Sequence, residues 1–293
     1  MAHVPVLLGE ALEYLAVRPE GLYVDSTVGG GGHSAAIARR LTTGRLLALD
    51  RDPAALEIAA RRLAEFGERV GWRQGAFSRL EEVLKETRMG LVDGILADLG
   101  LSQMQLDDPG RGFSFAAEGP LDMRMDPTQA LTAAEVVNRL DERRLAEVLY
   151  QFAEERRSRR IARAIVRARP LRSTQQLAEI VAAASRASRK HPPRGRIHPA
   201  TRTFQALRIY VNQELGELES LLEQAPRLTR PGARIVVISF HSLEDRLVKQ
   251  TFRRWQAAGT GRILTRRVVR PSEAETAANP RARSARLRCA ERI

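Results

Sequence analysis

The sequence predicts an α/β fold with a mainly parallel sheet, flanked by helices and interrupted by an inserted all-helical subdomain. Strand-like apolar runs alternate with helical patterns through the first hundred residues, which reads as βαβ units. A glycine-rich turn joins the first run to the helix after it. More than a hundred residues then separate the fourth run from the next buried strand, far more than one crossover needs.

The expected strands are Leu22–Asp25, Arg45–Asp50, Val70–Gln74 and Val92–Leu99, with helical patterns such as "AAIARRL" and "PAALEIAARRLAEF" between them. From Asp107 to Pro199 the patterns are helical: "TAAEVVNRL", "DERRLAEVLYQF", "RRIARAIVRA" and "TQQLAEIVAAAS", separated by turn signals. Near the end of this insert "SRKHPPRGRIHPATR" reads as a basic, proline-broken loop. A long amphipathic helix through "TFQALRIYVNQELGELESLLEQA" leads to the strand "RIVVISF", Arg234–Phe240. The tail "RPSEAETAANPRARSARLR" has the composition of a long loop before a last short strand. Residues 1–106 and 200–293 are thus expected to form one domain, and residues 107–199 a helical insert that serves the substrate.

With 293 residues, 43% of them hydrophobic, the chain can bury a sizeable core. No apolar run approaches the roughly 18 residues of a membrane span, and "MAHVPVLLGE" lacks the pattern of a signal peptide, so a cytoplasmic protein without a membrane partner is expected. The single cysteine, Cys289, excludes an internal disulfide framework and a cysteine-based metal cluster, and no metal site is expected. The net charge of +13 points to a polyanionic partner such as nucleic acid. Only Lys85, Lys190 and Lys249 among 48 basic residues are lysines, a bias that composition alone also produces, so charge supports this partner without proving it.

In "VDSTVGGGGHS" a strand ending in an acid runs through glycines into a helix, the arrangement by which α/β folds bring a nucleotide against the backbone. Counted from Gly29, a dinucleotide frame puts Ser34 where its third glycine belongs, whereas Asp25, Thr27, Gly29 and Gly31 fit an S-adenosylmethionine frame with one replacement. The second fit is better and both stay open. Asp50, about 20 residues beyond the glycines at the tip of the second strand, is placed to accept hydrogen bonds from ribose hydroxyls and serves either cofactor. Asp52, followed by Pro53, reads as a helix N-cap. Phe77 is a candidate to flank an adenine or an ordinary core residue, and Asp98 lies at the carboxyl edge of the fourth strand, where ligands bind in this class of fold.

These segments resemble the bacterial MraW/RsmH methyltransferases. Beside "GGGGHS" and "LALDRDP", the chain carries "QLDDPGRGFSF", "GPLDMRMDP", "EERRSRRIARAIV", "HPATRTFQALRIYVNQEL", "ISFHSLEDRLVK" and "NPRARSARLR", similar to blocks of that family in the same order. The resemblance implies a Rossmann-like class I methyltransferase that moves a methyl group from S-adenosylmethionine to N4 of a cytidine in the decoding region of small-subunit (16S) ribosomal RNA. By the same resemblance Gly31, Gly32, His33, Asp50, Phe77, Asp98 and Gln105 contact the cofactor. "LGLSQMQLDD" replaces the more usual "LGVSSPQLDD", which changes the loop carrying Gln105 but keeps Gln105 itself. The Asp/Asn-Pro-Pro-aromatic tetrapeptide of many amino-methyltransferases is missing.

Cytosine N4 is a poor nucleophile, so a site helps it by binding its amino hydrogens and aligning its lone pair with the methyl group. Asp98 and the carbonyl of Leu99 are suitable acceptors, and Asp98 is the candidate catalytic residue. Methylation at C5 would need a cysteine, and Cys289, in the terminal "LRCAER", reads instead as a small core residue. His241 and Glu244 follow the fifth strand as substrate-side candidates, with Ser242 and Asp245 at capping-box spacing as the structural alternative. Arg156, Arg160, Arg163 and Arg167 recur at helical spacing and are candidates to hold RNA phosphates, with a solvated face as the competing reading. The expected partner is 16S ribosomal RNA in the small subunit or a late precursor; a homodimer is left open. A nucleotide-dependent oxidoreductase and a non-catalytic RNA-binding protein are the other classes these features admit.

Overall fold

The computed structural model describes residues 5–185 and 198–293. These form two compact units: residues 1–100 with 215–293, and residues 101–214. The first unit contains α1 (Leu8–Leu15), β1 (Leu22–Asp25), α2 (Gly32–Ala38), β2 (Arg45–Asp50), α3 (Pro53–Leu63), β3 (Val70–Gln74), α4 (Leu80–Glu86) and β4 (Val92–Asp98). The second contains α5 (Gln103–Asp107), α6 (Ala133–Arg139), α7 (Glu142–Ala153), α8 (Ser158–Arg167), α9 (Thr174–Ser185) and α10 (Ala200–Asn212). The chain returns through α11 (Glu214–Leu228) to β5 (Thr229–Ser239), α12 (Ser242–Ala257), β6 (Gly261–Ile263), α13 (Glu273–Ala278) and β7 (Arg286–Arg292).

The seven strands order as β3-β2-β1-β4-β5-β7-β6. Strands β1 to β5 are parallel, and β7 runs antiparallel to both of its neighbours. Strand side chains alternate between two cores, the consequence of a two-residue period on a sheet covered on both faces. Tyr23, Leu46, Ala48, Leu96, Val236 and Ile238 face one core with α1, α2 and α3. Val24, Leu47, Leu49, Ile95, Ala97, Ile235 and Val237 face the other with α4, α11 and α12. The sheet order reverses direction between β1 and β4, so a crevice opens beyond their carboxyl ends.

The structure differs from the sequence reading in three places. The short strand β6 was not expected, and α13 stands inside the segment read as loop. The second unit begins at Leu101 and ends at Glu214 rather than at 107 and 199. It takes in α10 because Ala200, Phe204, Ala206, Leu207 and Val211 pack into the same core as Leu145, Leu149, Ile161, Ile165 and Leu177. Most of the basic loop read at Ser188–Arg202 lies outside the described residues. Among the described residues, no helix is long and apolar enough to cross a membrane.

A buried amide ties the second unit together. The Asn212 carbonyl accepts from the Met125 amide at 2.7 Å, and its Nδ2 donates to the carbonyls of Met123 at 2.7 Å and Arg208 at 2.9 Å. Asn212→Leu removes all three bonds from a site only 1% exposed. It is expected to destabilise this unit by on the order of 1 to 3 kcal/mol, read as a lower urea midpoint with an unchanged m-value.

Candidate active site at the strand tips

The glycine turn has a separate reason at each position. Gly29 and Gly31 have φ of +48° and +75°, the left-handed region in which a side chain is strained. Gly32 is held to glycine by packing, since a Cβ there would lie 2.2 Å from Cγ of Pro5. Gly30 has neither reason: its φ is not positive and a Cβ would meet nothing within 4 Å. Open space beside a glycine that the chain itself does not need suits a bound ligand.

Three aspartates at the strand ends frame this turn, and each is held differently. Asp25 at the end of β1 is fully buried and engaged: it accepts from Ser34 Oγ at 2.6 Å and from the Thr27 amide at 3.1 Å. Burial pushes its carboxyl above the usual range in spite of these bonds. Asp50 at the end of β2 accepts from the Gly29 amide at 2.9 Å through Oδ2 and from the Asp52 amide at 3.0 Å through Oδ1. One bond to each oxygen leaves acceptor capacity on both, as a ribose diol requires. Burial raises its pKa to about 6, with the charges of Asp52 and Asp25 adding to the effect. Asp52 caps α3 by accepting from the Ala54 amide at 3.1 Å, with Pro53 next, as expected.

Asp98 at the end of β4 contrasts with Asp25. Its amide donates to Thr27 Oγ1 at 2.6 Å, but the buried Oδ1 of its side chain has no hydrogen-bond partner. Oδ2 lies 3.5 Å from Nδ1 of His33, and the side chain is 22% exposed. Burial raises its pKa well above the usual carboxylate range, and the charges of Asp25 and Glu244 raise it further. Its capacity to accept is therefore not spent on holding the fold.

Beyond β5, His241 rather than Ser242 caps α12, correcting the expected capping box. Imidazole Nδ1 accepts from the Glu244 amide at 3.3 Å, while Glu244 Oε2 accepts from the amides of Phe240 at 2.9 Å and His241 at 3.2 Å. Asp245 instead pairs with Arg288 at 2.6 Å. Phe77 lies in a short 3-10 turn after β3, partly buried against the core on the α4 side. Gln105 belongs to the second unit, where it is 5% exposed and shares a capping box with Ser102. Cys289 is buried in β7 opposite Val236, and burial pushes its thiol up to about 12, the small core residue expected.

The arginine stripe is shorter than its spacing suggests. Arg160, Arg163 and Arg167 stand exposed along α8, but Arg156 lies in the turn before that helix. Arg163 also pairs with Glu142 of α7 at 3.2 Å, so an acid from the neighbouring helix reaches a stripe that has none in its own sequence.

The family model of the MraW methylase family matches residues 1–293. The chain belongs to the MraW methylase family. It is 55% identical to the "Ribosomal RNA small subunit methyltransferase H" of Acidobacterium capsulatum, over 99% of this chain and 98% of that one. It is 53% identical to the protein of the same name from Solibacter usitatus, over 99% of both chains. The crystal structure of a putative rRNA-methylase from Clostridium thermocellum aligns over 99% of this chain and 100% of its own, with a TM-score of 0.46 and 13% identity.

As a family member the chain takes its methyl group from S-adenosylmethionine. The residues present fit that group. Gly30 leaves space, Asp50 keeps acceptors at the ribose position, and Asp98 is a carboxyl with an orphaned oxygen. Four acids, Asp25, Asp50, Asp98 and Glu244, meet at the strand tips and act on one another, a field that favours a sulfonium cation over a pyrophosphate.

Asp50 makes cofactor binding sensitive to acid. Hydroxyl donors stabilise its ionised form, and that form is lost as pH falls through about 6. The affinity for S-adenosylhomocysteine, which carries no sulfonium charge, is expected to be level above this pH. Below it, affinity should fall by up to about tenfold per unit. Calorimetry at a series of pH values checks this; Asp50→Asn should bind more weakly and lose the acid-side fall.

Proposed function

We propose that this protein methylates the exocyclic N4 of a cytidine in the decoding region of small-subunit (16S) ribosomal RNA. The observation that carries this reading is the Asp98 carboxyl at the β1–β4 crevice, with acceptor capacity unspent. S-adenosylmethionine supplies the electrophilic methyl group when bound. Gly31, Gly32, His33, Asp50, Phe77, Asp98 and Gln105 are the residues assigned to hold it. Asp98 and the Leu99 carbonyl accept the amino hydrogens of the base and so turn the nitrogen lone pair toward the methyl carbon. The methylated nitrogen is strongly acidic, and the Asp98 carboxylate takes its proton.

Attack through C5 would need a thiolate to add to the ring. Cys289 is 0% exposed and its thiol is raised to about 12, so it supplies none. The named relatives act on ribosomal RNA of the small subunit, which supports the substrate class. The family membership weighs against the oxidoreductase reading and against a non-catalytic RNA-binding protein. His241 and Glu244 are assigned to the substrate side, and the helical unit to holding RNA phosphates.

With small subunits or late precursors as substrate, nucleoside mass spectrometry should detect N4-methylcytidine. Cys289→Ser should keep most of the activity, and Asp98→Ala should lose it while still binding cofactor. A C5-methylated product or a covalent RNA adduct would exclude the mechanism.

Replacing Arg156, Arg160, Arg163 and Arg167 together by glutamine keeps helix propensity. Removing the exposed Arg163–Glu142 pair should cost little stability. The plot of log RNA affinity against log salt should become shallower by roughly 0.7 to 0.9 for each phosphate that the variant no longer neutralises. An unchanged slope, with cofactor binding intact, would show a solvated face.

A further inference from the structure

His33 is more than a residue of the glycine turn. It is 4% exposed, in the first turn of α2, and both ring nitrogens meet oxygen. Nε2 lies 3.1 Å from the carbonyl of Val6. A carbonyl can only accept, so Nε2 carries the hydrogen, and in the neutral ring the lone pair is left at Nδ1. Nδ1 lies 3.5 Å from Oδ2 of Asp98. Oδ1 is buried, so the exposure left on this side chain does not belong to it, and the carboxyl is open to a ligand away from Oδ1. Two acceptors facing each other at this distance repel, and a single proton between them turns repulsion into a hydrogen bond.

We propose that His33 is a positioning residue for Asp98: its Nδ1 accepts the hydrogen that Oδ2 acquires from the methylated substrate nitrogen. This rests on the methyl-transfer reading above. In the step, the N4 lone pair forms the new bond to the methyl carbon, and the carbon–sulfur pair leaves with sulfur. One N4 proton passes to Asp98 Oδ2, and the resulting O–H donates to His33 Nδ1 until product leaves and the proton returns to solvent. The other groups acting on Asp98 are acids: Asp25 from β1 and Glu244 from α12, the latter with His241 beside it at 3.1 Å. Asp50 on β2 acts in turn on Asp25's side of the cluster. These acids increase the proton affinity of the carboxyl without fixing where the proton sits. His33 supplies the direction.

The test has one arm without substrate or cofactor. In protein labelled with ¹⁵N-histidine, His33 should show the Nε2–H tautomer with an unprotonated Nδ1. Asp98→Asn, whose amide can donate, should shift the Nδ1 resonance. A ring protonated on Nδ1, or an Nδ1 signal indifferent to Asp98→Asn, overturns the proposal.

The second arm compares kcat at saturating cofactor across pH on small subunits. His33→Leu should lower kcat by on the order of tenfold or more. It should also move the acid limb to lower pH, because the acid form of Asp98 has no acceptor left. His33→Asn, whose amide oxygen can accept, should restore part of both. S-adenosylhomocysteine affinity is measured alongside: a loss confined to affinity, with the limb unmoved, makes His33 only a binding residue and overturns the proposal. If His33→Leu does not fold, the labelled protein decides. If the wild type transfers no methyl group, the functional reading fails while the labelling arm still judges the His33–Asp98 pair.

Discussion

The geometry of the strand tips depends on one buried carboxylate. Asp25 has no access to water, so it must be satisfied by the chain, and it draws on the segment that follows it. Ser34 and the Thr27 amide donate to it, which folds the glycine turn back onto the end of β1. Thr27 then uses the other side of its hydroxyl to accept from the Asp98 amide, joining the tips of β1 and β4. The turn is pinned on its other flank by the Val28 amide on the carbonyl of Leu49, 2.8 Å away, and by Gly29 on Asp50. A substitution at Asp25 would therefore disturb the other two aspartates without touching a ligand.

The same contacts create an electrostatic cost. Holding Asp25, Asp50, Asp98 and Glu244 close together in a partly dry crevice makes each harder to ionise, and the raised pKa values of the three aspartates express this. A cationic ligand relieves the repulsion and a neutral one does not. The cluster thus discriminates between a sulfonium donor and the thioether left after transfer, through charge and not shape. Such a crevice favours exchange of spent cofactor for fresh.

Much of this was legible because each feature has a local sequence cause. The strands β1 to β4 and β5 announce themselves by apolar runs, Asp52 by the proline after it, and the glycine turn by its own composition. The rest needed three-dimensional information. The periodicity of α10 shows an apolar face but not which core receives it, so the unit boundary fell too late at one end and too early at the other. The strand β6 has only three residues and is recruited by β7 rather than by its own propensity. His241 went unread as a cap because an imidazole seldom serves where Ser, Thr, Asp or Asn is preferred. The acid cancelling part of the arginine stripe comes from another helix, invisible to spacing along one. The facing of His33 and Asp98 joins residues far apart in sequence, and no pattern along the chain encodes it.

Placing the helical unit between β4 and β5 also has a consequence during synthesis. As the chain leaves the ribosome, β1, β2, β3 and β4 can pair at once, but the free edge of β4 waits for a strand made only after the whole second unit. Until then a fully apolar strand offers unpaired backbone groups to any neighbour. If the helical unit collapses on its own core first, it shortens the effective loop that β5 must close and reduces the entropy cost of closing it. The nascent chain would then be most vulnerable to aggregation while the helices are being made, and substitutions that slow their collapse would lower yield without touching the strand tips.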